Sequence, residues 1–321
     1  MKVLITGGLG VVGSCIADRY LATGHDVVVI DAAEERRNRW TWKQLAQRHG
    51  TEHLQVVIDR VECAPMTPLL HDVDAVIHAA AHTGIPHSAQ DPDDDWRSNV
   101  DATKALLDGL RRVGRPIPTV VLSSVKPYRV PAPDVLLASG ELDESAVLDP
   151  DEPYAASKAA QSMVCMAYAR SFDLPVVTLR CSNLYGPAPC HGPRHGWLTW
   201  FCISAAIGRP IEVQGDGEQA RDMLHVADVA VANIAALYRG AGGTYHISTG
   251  IPVTINDLFR KLALLTDYKL QPDFGPARKG DVFRIALDNS RAKRELGWEP
   301  RLELEEGLSQ TVEFFRTGRQ G

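Results

Sequence analysis

One glycine-rich segment near the start of the chain limits the possible folds more than any other feature. A short apolar run, Lys2–Thr6, leads directly into Gly7-Gly-Leu-Gly10-Val-Val-Gly13, and a helical pattern follows. Glycines at these positions allow a tight turn, a close approach of the backbone to a ligand, and close packing of the helix on the strand. The N-terminus of that helix would direct unpaired N–H groups and the positive end of its dipole at phosphates. The segment therefore predicts a strand–turn–helix unit that holds a phosphorylated ligand.

An acidic residue further along the chain makes an ordinary tight turn a poor explanation of these glycines. Asp31 ends the second predicted strand, Val27–Ile30, 18 residues after Gly13. In dinucleotide sites a carboxylate about 20 residues beyond the glycines accepts hydrogen bonds from the adenosine ribose hydroxyls. The charge of Asp31 would repel the 2′-phosphate of NADP, so the sequence favours NAD as cofactor. Arg36 and Arg37 keep NADP open as an alternative, because a nearby arginine can accommodate that phosphate.

Strands and helices alternate through the first half of the chain. The strand candidates are apolar throughout, as expected of strands that are buried on both faces of a parallel sheet. They are Lys2–Thr6, Val27–Ile30, Gln55–Ile58, Ala75–His78, Thr119–Leu122 and Val176–Leu179. The helix candidates between them are Val12–Ala22, Arg39–Arg48, Asn99–Arg112 and Pro153–Ser171. This order predicts an α/β fold with a doubly wound parallel sheet of the Rossmann type.

The composition changes after Arg180, and the expected organisation changes with it. A loop rich in Gly and Pro, Gly186–Gly196, separates the first half from a second set of elements. These are predicted helices at Trp197–Ala206, Ile255–Thr266, Arg291–Leu296 and Glu305–Phe315, and a short strand at Ile211–Val213. We expect a Rossmann domain over residues 1–180 and a smaller, mixed α/β domain over residues 181–321. A segment near 223–250, including Met223–Leu237, is expected to rejoin the first domain.

Charge and cysteine usage narrow the class of protein. The 321 residues carry a net charge of −6, which argues weakly against a nucleic-acid-binding protein, since such proteins usually present a basic face. The six cysteines include no CxxC pair, so neither a disulfide scaffold nor a zinc module is indicated. Met1 leads directly into an apolar strand without a signal sequence, and no apolar run is long enough to cross a bilayer. The expected location is the cytoplasm, with no membrane partner and no metal site.

A tyrosine and a lysine at the start of a later helix are candidate reactive groups. The segment Pro153-Tyr154-Ala-Ala-Ser-Lys158 places Tyr154 and Lys158 four residues apart, on one face of the helix. A free tyrosine has a pKa of about 10, so a phenolate base near neutrality requires a pKa that is lowered by roughly 3 units. The Lys158 ammonium, the helix N-terminus and an oxidised nicotinamide would each lower it. Such a pair is common by chance, but much less so downstream of a dinucleotide motif.

Several ordered motifs resemble those of one enzyme family. Besides the glycine turn and the Tyr154–Lys158 pair, they are Asp59-Arg60, His78-Ala-Ala-Ala81, Asn99, Leu122-Ser-Ser-Val-Lys-Pro-Tyr128, Leu179-Arg-Cys-Ser-Asn183-Leu-Tyr-Gly-Pro187, Gly215–Val226, Arg278-Lys-Gly-Asp281 and Ala292–Trp298. Together they span nearly the whole chain. They resemble the extended short-chain dehydrogenase/reductase family, in its NAD-dependent nucleotide-sugar epimerase/dehydratase branch with UDP-glucose 4-epimerase-like members. The resemblance implies an NAD cofactor, a nucleotide-diphosphate sugar as substrate, and a smaller domain that binds this sugar nucleotide.

The resemblance also implies site residues at the positions that match the family's motifs. The catalytic candidates are Ser124, Tyr154 and Lys158. The cofactor-binding candidates are Gly7, Gly10, Val11, Val12, Asp31, Asp59, Arg60, Ala79, Ala80, Ala81, Asn99, Tyr154 and Lys158. The substrate-binding candidates are His82, Ser124, Lys126, Asn183, Val213, Arg221, Arg278 and Asp281.

These residues carry distinct implied roles. Tyr154 would remove a proton from a sugar hydroxyl, at C4, while the hydride of that carbon goes to NAD and Ser124 hydrogen-bonds the same oxygen. Lys158 would hold the nicotinamide ribose and lower the pKa of Tyr154. The diphosphate and sugar would be held by forked or amide donors, namely Arg221, Arg278 and Asn183. The family further implies a homodimer formed by the helices at Asn99–Arg112 and Pro153–Ser171, with packing inside one subunit as the alternative.

The two residues after Ser124 bear on the outcome of the reaction. Dehydratases of this family carry Asp-Glu there and sugar-acid decarboxylases carry Glu at the second position, whereas this chain has Val125-Lys126. Because elimination of water needs an acid–base pair, the sequence favours a nucleotide-sugar 4-epimerase. An NAD(P)-dependent nucleotide-sugar oxidoreductase or keto-sugar reductase, a dehydratase and a decarboxylase stay open. A non-catalytic NAD-binding protein would be expected to lack one of the three catalytic residues.

Three other features have competing interpretations. Lys126 is interpreted as a solvent-exposed lysine, and a cation that faces a sugar carboxylate is the alternative. The acidic run Asp91–Asp95 is expected to form a solvated turn before a helix. His191 and His195 lie among Gly and Pro residues, so they are expected in a loop and not in a metal site. The insert Arg129–Glu141 lacks the glycine that usually follows the family's tyrosine, which leaves substrate identity open.

Overall fold

The strands and helices follow the alternating order that the sequence predicts. The computed structural model describes residues 1–34, 36–83, 88, 90–128, 141–187, 196–240, 242–269, 271–277 and 282–317, without the side chains of 36, 37 and 141. The strands are β1 (Lys2–Thr6), β2 (Asp26–Asp31), β3 (Leu54–Ile58), β4 (Ala75–His78), β5 (Thr119–Ser124), β6 (Glu141–Leu142), β7 (Val176–Cys181), β8 (Asn183–Tyr185), β9 (Glu212–Gln214), β10 (Ala220–His225), β11 (Thr244–Ile247), β12 (Pro252–Thr254), β13 (Asp273–Gly275) and β14 (Arg284–Leu287). The helices are α1 (Val11–Ala22), α2 (Arg36–His49), α3 (Met66–Leu70), α4 (Pro92–Trp96), α5 (Ala102–Val113), α6 (Pro153–Phe172), α7 (Trp197–Ile207), α8 (Val226–Arg239), α9 (Ile255–Thr266) and α10 (Leu304–Arg316). Two π-helical turns, Arg97–Asp101 and Ala292–Leu296, complete the set.

A seven-stranded sheet confirms the Rossmann-type architecture. Its strand order is β11-β7-β5-β4-β1-β2-β3, and every neighbouring pair is parallel. From β1 the sheet continues through β2 and β3 on one side and through β4, β5, β7 and β11 on the other, so the strand order reverses between β1 and β4. In open α/β sheets, ligands bind outside the carboxyl ends of the strands at such a switch point. The fold therefore places a binding crevice between the turn after β1 and the loop after β4.

Burial on both faces explains why the strands of this sheet are apolar throughout. Along β1, Val3 and Ile5 belong to one hydrophobic core and Leu4 belongs to the other. Because successive side chains of a strand point to opposite faces, each face requires its own apolar residues. Helices α1 and α8 cover the first core, and α5 and α6 cover the second. The two layers of helices cover both faces of the sheet, and the carboxyl ends of the strands lie at its edge.

The second half of the chain forms a smaller, mixed region. Strands β12, β10, β14 and β6 form one sheet with β8 paired to β10, in which the β10–β12 pair is antiparallel and the other pairs are parallel. A separate pair joins β9 to β13. Helices α7, α9 and α10 pack around a third core. Within the segment near 223–250, β10 lies in the smaller sheet, whereas α8 covers the large sheet and β11 is its edge strand.

One local expectation is wrong. The acidic run Asp91–Asp95 is a helix, α4, and not a solvated turn. Asp91 caps this helix by accepting a hydrogen bond from the Asp94 N–H group at 3.2 Å, and Pro92 takes the first helical position. Acidic residues stabilise a helix N-terminus, so the run that resembled a turn is a helix start. None of the helices in the described part of the chain combines the length and the apolarity that a membrane crossing requires.

Candidate active site

The turn after β1 packs directly against the loop that follows β4. Gly7 has a φ of +66°, a backbone conformation that residues with side chains rarely adopt. A Cβ atom at Gly7 would lie 2.6 Å from both the N and Cα atoms of Ala80, and one at Gly13 would collide with the Gly7 carbonyl oxygen. On the same wall, the Ala79 N–H group donates to the Thr6 carbonyl at 3.0 Å. The glycines thus let the two loops pack in direct backbone contact beside the crevice expected at the switch point.

The N-terminus of α1 lies at this crevice. The helix begins at Val11, directly after Gly10, which has extended backbone and no side chain to cap the helix. The N–H groups of a first helical turn, here those of Val11 and Val12, have no acceptors within the helix. Such free donors, together with the positive end of the helix dipole, fit a phosphate group. The crevice therefore fits the diphosphate of a dinucleotide.

Asp31 closes the β2 side of the crevice. Its Oδ2 accepts a hydrogen bond from the Leu9 N–H group at 2.9 Å, and its Oδ1 accepts from the Ala33 N–H group at 2.9 Å. The Asn38 side-chain amide donates to the same Oδ1 at 3.1 Å. These bonds hold a buried carboxylate between the glycine turn and the end of β2. A negative charge there suits ribose hydroxyls and opposes a 2′-phosphate.

Arg60 joins the loops that follow β2, β3 and β4. Asp59 accepts a hydrogen bond from the Arg60 N–H group at 2.8 Å. The guanidinium donates to the carboxylates of Glu62, Glu34 and Asp94 at 2.5, 2.7 and 3.0 Å, and to the Ser98 hydroxyl at 3.0 Å. The bond to Glu62 is the main reason that the pKa of Arg60 is raised above its ordinary value. With three carboxylates around it, Arg60 offers no surplus positive charge to a 2′-phosphate.

The three catalytic candidates lie together at the carboxyl end of β5. Tyr154 occupies the first turn of α6, and its phenol is hydrogen-bonded to the Ser124 side chain. Lys158 lies one turn further along the same helix. Its Nζ donates to the Gln161 Oε1 at 2.7 Å and to the Leu122 carbonyl at 3.1 Å. The pattern in the sequence thus becomes a buried phenol, bonded to a half-buried serine hydroxyl, with a buried lysine one turn away.

Burial determines the proton affinities of this group. It raises the pKa of Tyr154 to about 12, although the hydrogen bond to Ser124 acts in the opposite direction. It also lowers the pKa of Lys158 to about 8. Desolvation disfavours the charged form of either side chain, so the phenol is harder to deprotonate and the ammonium is easier to deprotonate. The lowered pKa expected of Tyr154 with an oxidised nicotinamide beside it stays a prediction, because the raised value reflects burial of the phenol in the protein alone.

A buried polar network holds Lys158 in place. The Gln161 side-chain amide donates to the Thr103 hydroxyl at 3.0 Å, and that hydroxyl donates to the Asn99 carbonyl at 2.7 Å. His78 lies between the Thr103 and Thr6 hydroxyls, at 2.9 and 2.6 Å. Burial, followed by the charge of Lys158, lowers the pKa of His78 to about 3, so this imidazole is neutral. Sequence reasoning missed Gln161, although its position three residues after Lys158 places it on the same helix face.

A second polar cluster contacts the catalytic helix from the β4 side. The His82 N–H group donates to the Asn99 side-chain oxygen at 3.1 Å, and the Asn99 amide donates to the Ser157 hydroxyl of α6 at 2.9 Å. The imidazole Nδ1 of His82 lies 2.6 Å from the Asp95 carboxylate. Sequence reasoning missed Asp95 because it assigned the acidic run to solvent. Its spacing of four residues from Asn99 is the signal that places both on one helix face.

The substrate candidates on the smaller sheet are held by neighbouring strands. β8 pairs with β10, and the Asn183 amide donates to the Asp222 carbonyl at 3.2 Å. The buried Arg221 guanidinium donates to the carbonyl of the preceding residue, Ala220, at 2.9 Å. The buried Asp222 carboxylate accepts bonds from the Thr249–Gly250 turn, and burial raises its pKa. Val213 packs its side chain into the core, and its backbone lies in the β9–β13 pair.

The remaining predicted residues divide into two groups. Lys126 is half-buried, and its backbone N–H group donates to the Ser124 hydroxyl oxygen at 3.2 Å, so the interpretation as a solvent-exposed lysine stays a prediction. Val125 packs into a small core with Ile285 and Leu287. The other group lies outside the described residues; it comprises Arg278, Asp281, His191, His195, Cys190 and the insert apart from Glu141. Within the described ranges, no cluster of three or more His, Cys, Asp or Glu side chains is arranged to hold a metal ion.

Comparison with known proteins identifies the family. The model of the NAD dependent epimerase/dehydratase family matches residues 3–248. The chain belongs to this family. A UDP-glucose 4-epimerase of Mycolicibacterium smegmatis is 32% identical over 323 residues, with 100% of each chain covered. NAD is accordingly the cofactor, and the chain is an enzyme of a family that contains nucleotide-sugar epimerases and 4,6-dehydratases.

Solved structures agree with this assignment and include both reactions. UDP-glucose 4-epimerase of Thermotoga maritima with UDP-glucose superposes with a TM-score of 0.87 at 30% identity, covering 99% of both chains. The dTDP-glucose 4,6-dehydratase DesIV of Streptomyces venezuelae with NAD bound superposes with a TM-score of 0.88 at 30% identity, covering 99% of this chain and 98% of that one. The similarity confirms the fold and family, and it does not separate epimerase from dehydratase.

Proposed function

We propose that this chain is an NAD-dependent nucleotide-sugar 4-epimerase. The observation that carries the proposal is the assembly of Tyr154, Ser124 and Lys158 beside the glycine crevice, followed by Val125-Lys126 in place of two acidic residues. A phenol that is hydrogen-bonded to a serine hydroxyl is suited to exchange a proton with a sugar hydroxyl. The same three groups serve oxidation and reduction alike, so they support transient formation of a keto sugar.

In the proposed mechanism Tyr154 takes the proton of the C4 hydroxyl and Ser124 hydrogen-bonds the same oxygen. NAD, when bound, supplies the hydride acceptor and donor at C4 and a positive charge that favours the phenolate. Lys158, fixed by Gln161, holds the nicotinamide ribose. After the 4-keto sugar has turned its other face, Tyr154 returns the proton to the C4 oxygen. No net oxidation occurs, because the hydride removed from C4 goes back to C4.

The residues after Ser124 favour epimerisation over elimination. Val125 has an apolar side chain packed against Ile285 and Leu287, and Lys126 is a cation where an elimination needs a carboxylic acid. Loss of water from C5 and C6 requires both an acid and a base near those carbons. Neither side chain at positions 125 and 126 supplies such a pair. An epimerase requires only that the keto sugar be free to rotate.

We assign the remaining contacts by position. Around NAD they are the crevice residues Gly7, Gly10, Val11, Val12, Asp31, Asp59, Arg60, Ala79, Ala80, Ala81 and Asn99. Around the nucleotide sugar they are His82, Lys126, Asn183, Val213, Arg221, Arg278 and Asp281. We also propose that residues 1–180 with α8 and β11 form the cofactor domain, and that the rest of 181–321 forms the substrate domain.

A homodimer through α5 and α6 is a further part of the proposal. Met163, Met166 and Phe172 on α6 are apolar side chains that are exposed in the single chain. Exposed apolar side chains on a long helix suit a subunit interface, because association removes the apolar surface from water. Sedimentation of the wild-type protein and of a Met163→Glu variant tests this part. We expect a dimer that the substitution converts to a monomer, and a wild-type monomer would contradict it.

A panel of UDP-, dTDP-, GDP- and CDP-linked sugars, uronates included, tests the function. Products are identified by NMR while the absorbance of NADH is followed. We expect inversion at C4 for one nucleotide sugar with no net accumulation of NADH. A 4-keto-6-deoxy product would replace the proposal with a dehydratase, and NADH formed in proportion to product would replace it with an oxidoreductase.

A further inference from the structure

Two neighbouring residues of α4 reverse the usual distribution of polar and apolar side chains. Asp95 has 0% of its surface exposed, whereas Trp96 is 49% exposed. Burial of an ionised carboxylate is costly unless the charge is paired and hydrogen-bonded. Positions that break a local rule of this kind are often functional.

The Asp95 carboxylate is held at one oxygen and open at the other. Its Oδ1 is 2.6 Å from the Nδ1 of His82. Its Oδ2 is buried and has no hydrogen-bond partner among the described residues. The His82 imidazole therefore fixes the position of the Asp95 carboxylate, and the carboxylate can still accept further hydrogen bonds.

The His82–Asp95 pair is connected to the catalytic helix. Helix α4 is in contact with α6. His82 donates through its backbone to Asn99, and Asn99 donates to the hydroxyl of Ser157 on α6. That hydroxyl donates to the carbonyl of Tyr154 at 2.8 Å. A continuous set of hydrogen bonds thus runs from the pair to the backbone of the catalytic tyrosine.

The ammonium group of Lys158 lacks a direct counter-ion. In the described part of the chain its Nζ donates only to neutral oxygens, those of Leu122 and Gln161. Neutral acceptors do not compensate a buried positive charge as a carboxylate does. The buried carboxylate of Asp95 lies on α4, the helix that contacts α6, and can do so.

We propose that Asp95 is the buried counter-ion of Lys158, that its negative charge also opposes the phenolate form of Tyr154, and that His82 is the residue that positions it. The proposal rests on the proposed role of Tyr154 as the base. Neither Asp95 nor His82 transfers a proton to substrate in this account. Both are positioning residues, and they act on the reaction through the charge states of Tyr154 and Lys158.

The charges that surround the pair support this assignment. The groups that act on Tyr154 are Ser124 of β5, Glu152 before α6, Asp95 of α4 and Cys181 of β7, and those on Lys158 are Cys165 of α6, Cys181 and Asp95. Asp95 is the carboxylate common to both sets, and its charge raises the pKa of each partner. Loss of this charge must therefore lower both pKa values. More phenolate forms at a given pH, and the ammonium is lost at a lower pH.

The test measures the phenolate directly. Tyrosinate absorbance is recorded at one alkaline pH on NAD-loaded protein, and the Tyr154→Phe variant is subtracted as baseline. Asp95→Asn, which keeps the shape of the side chain, is expected to increase the phenolate fraction about threefold, the result of a pKa lowered by roughly half a unit. Asp93→Asn is the matched control, because it removes an exposed charge from the same helix and should change nothing.

Two further arms complete the test. Asp95→Ser provides the same loss of charge if the asparagine variant does not fold, and it should shift the phenolate fraction in the same direction. The fall of turnover at alkaline pH should also begin at lower pH in the Asp95 variants, whereas a purely structural role would lower turnover equally at every pH. An unchanged phenolate fraction in folded Asp95 variants, or an equal rise in Asp93→Asn, would overturn the proposal. A rise in phenolate without turnover of any nucleotide sugar would support the counter-ion and refute the proposed function.

Discussion

The charged side chains at the two ends of the crevice differ in how completely they are paired. At the β2–β3 end, the Asp31 carboxylate accepts two backbone N–H bonds and the Arg60 guanidinium is bound by three carboxylates. At the β5–α6 end, the ammonium of Lys158 has only neutral acceptors among the described residues, and Asp95 has one oxygen without a partner there. Fully paired charges hold loops in a fixed arrangement. The incompletely compensated ammonium of Lys158 has a pKa lowered by burial, which is a property that proton-transfer chemistry uses.

The largest effect is expected at the β5–α6 end, from the loss of one hydroxyl. Tyr154→Phe removes the group that exchanges the proton, so turnover should fall by about 10²- to 10⁴-fold while NAD still binds. Steady-state kinetics and a cofactor-binding titration measure the two quantities. The exposed Tyr238 gives the control Tyr238→Phe, which should turn over like the wild type. Turnover of Tyr154→Phe within a few-fold of the wild type would remove Tyr154 from the mechanism.

The next effect comes from the wall of the crevice. Gly7→Ala combines a left-handed backbone with a Cβ 2.6 Å from backbone atoms of Ala80, so we expect at least about a tenfold loss of NAD affinity and a lower free energy of unfolding. Gly24 has a similar φ of +78°, and a Cβ atom at this position would have no other atom within 4 Å. Gly24→Ala should therefore cost about 1 kcal/mol of stability and leave NAD affinity unchanged. Equal NAD affinities in the two variants would show that close packing at Gly7 does not form the cofactor site.

Sequence patterns predict the features that residues close together in the chain carry. The glycine turn, Asp31 and the Tyr154–Lys158 pair are local patterns, and strands buried on both faces leave continuous apolar runs. These features were predictable because residues close in sequence carry them.

The charge balance at the β5–α6 end depends on contacts between distant segments. Asp95 meets His82 across 13 residues, and Gln161 meets Thr103 across 58. The burial that raises the pKa of Tyr154 in the protein alone also depends on distant segments. A lysine one turn away is visible in the sequence, whereas the extent of burial is a property of the whole fold.

A moderate effect is expected from pH. The pKa of Lys158, lowered to about 8 by burial, predicts that turnover falls as the pH rises through about 8, where the ammonium loses its proton.

The free energy of unfolding should change with pH in the opposite direction to turnover. Because the unfolded chain binds this proton up to about 10.5, the contribution of Lys158 to the free energy of unfolding should increase between these two pH values. Denaturation at several pH values, with Lys158→Met as reference, measures it, and parallel pH dependences of wild type and variant would contradict the lowered pKa.

The smallest effect is expected at the β2–β3 end. The Arg60 side chain is partly exposed, so its ion pairs are screened by solvent, and Arg60→Gln should lower the free energy of unfolding by up to about 1 kcal/mol. Salt should reduce this difference. Arg19→Gln at an exposed site on α1 is the control. A loss of turnover in Arg60→Gln that approaches the loss in Tyr154→Phe would mean that this end takes part in the chemistry.

The central claim is that the hydride removed from C4 returns to C4. A nucleotide hexose that carries deuterium at C4, chosen from the substrate panel, is incubated with the NAD-loaded protein and the product is examined by NMR. The account predicts a product inverted at C4 that keeps its deuterium at C4, with no NADH left at equilibrium. Deuterium at C6 of a deoxy sugar, or on reduced cofactor released in proportion to product, would contradict it.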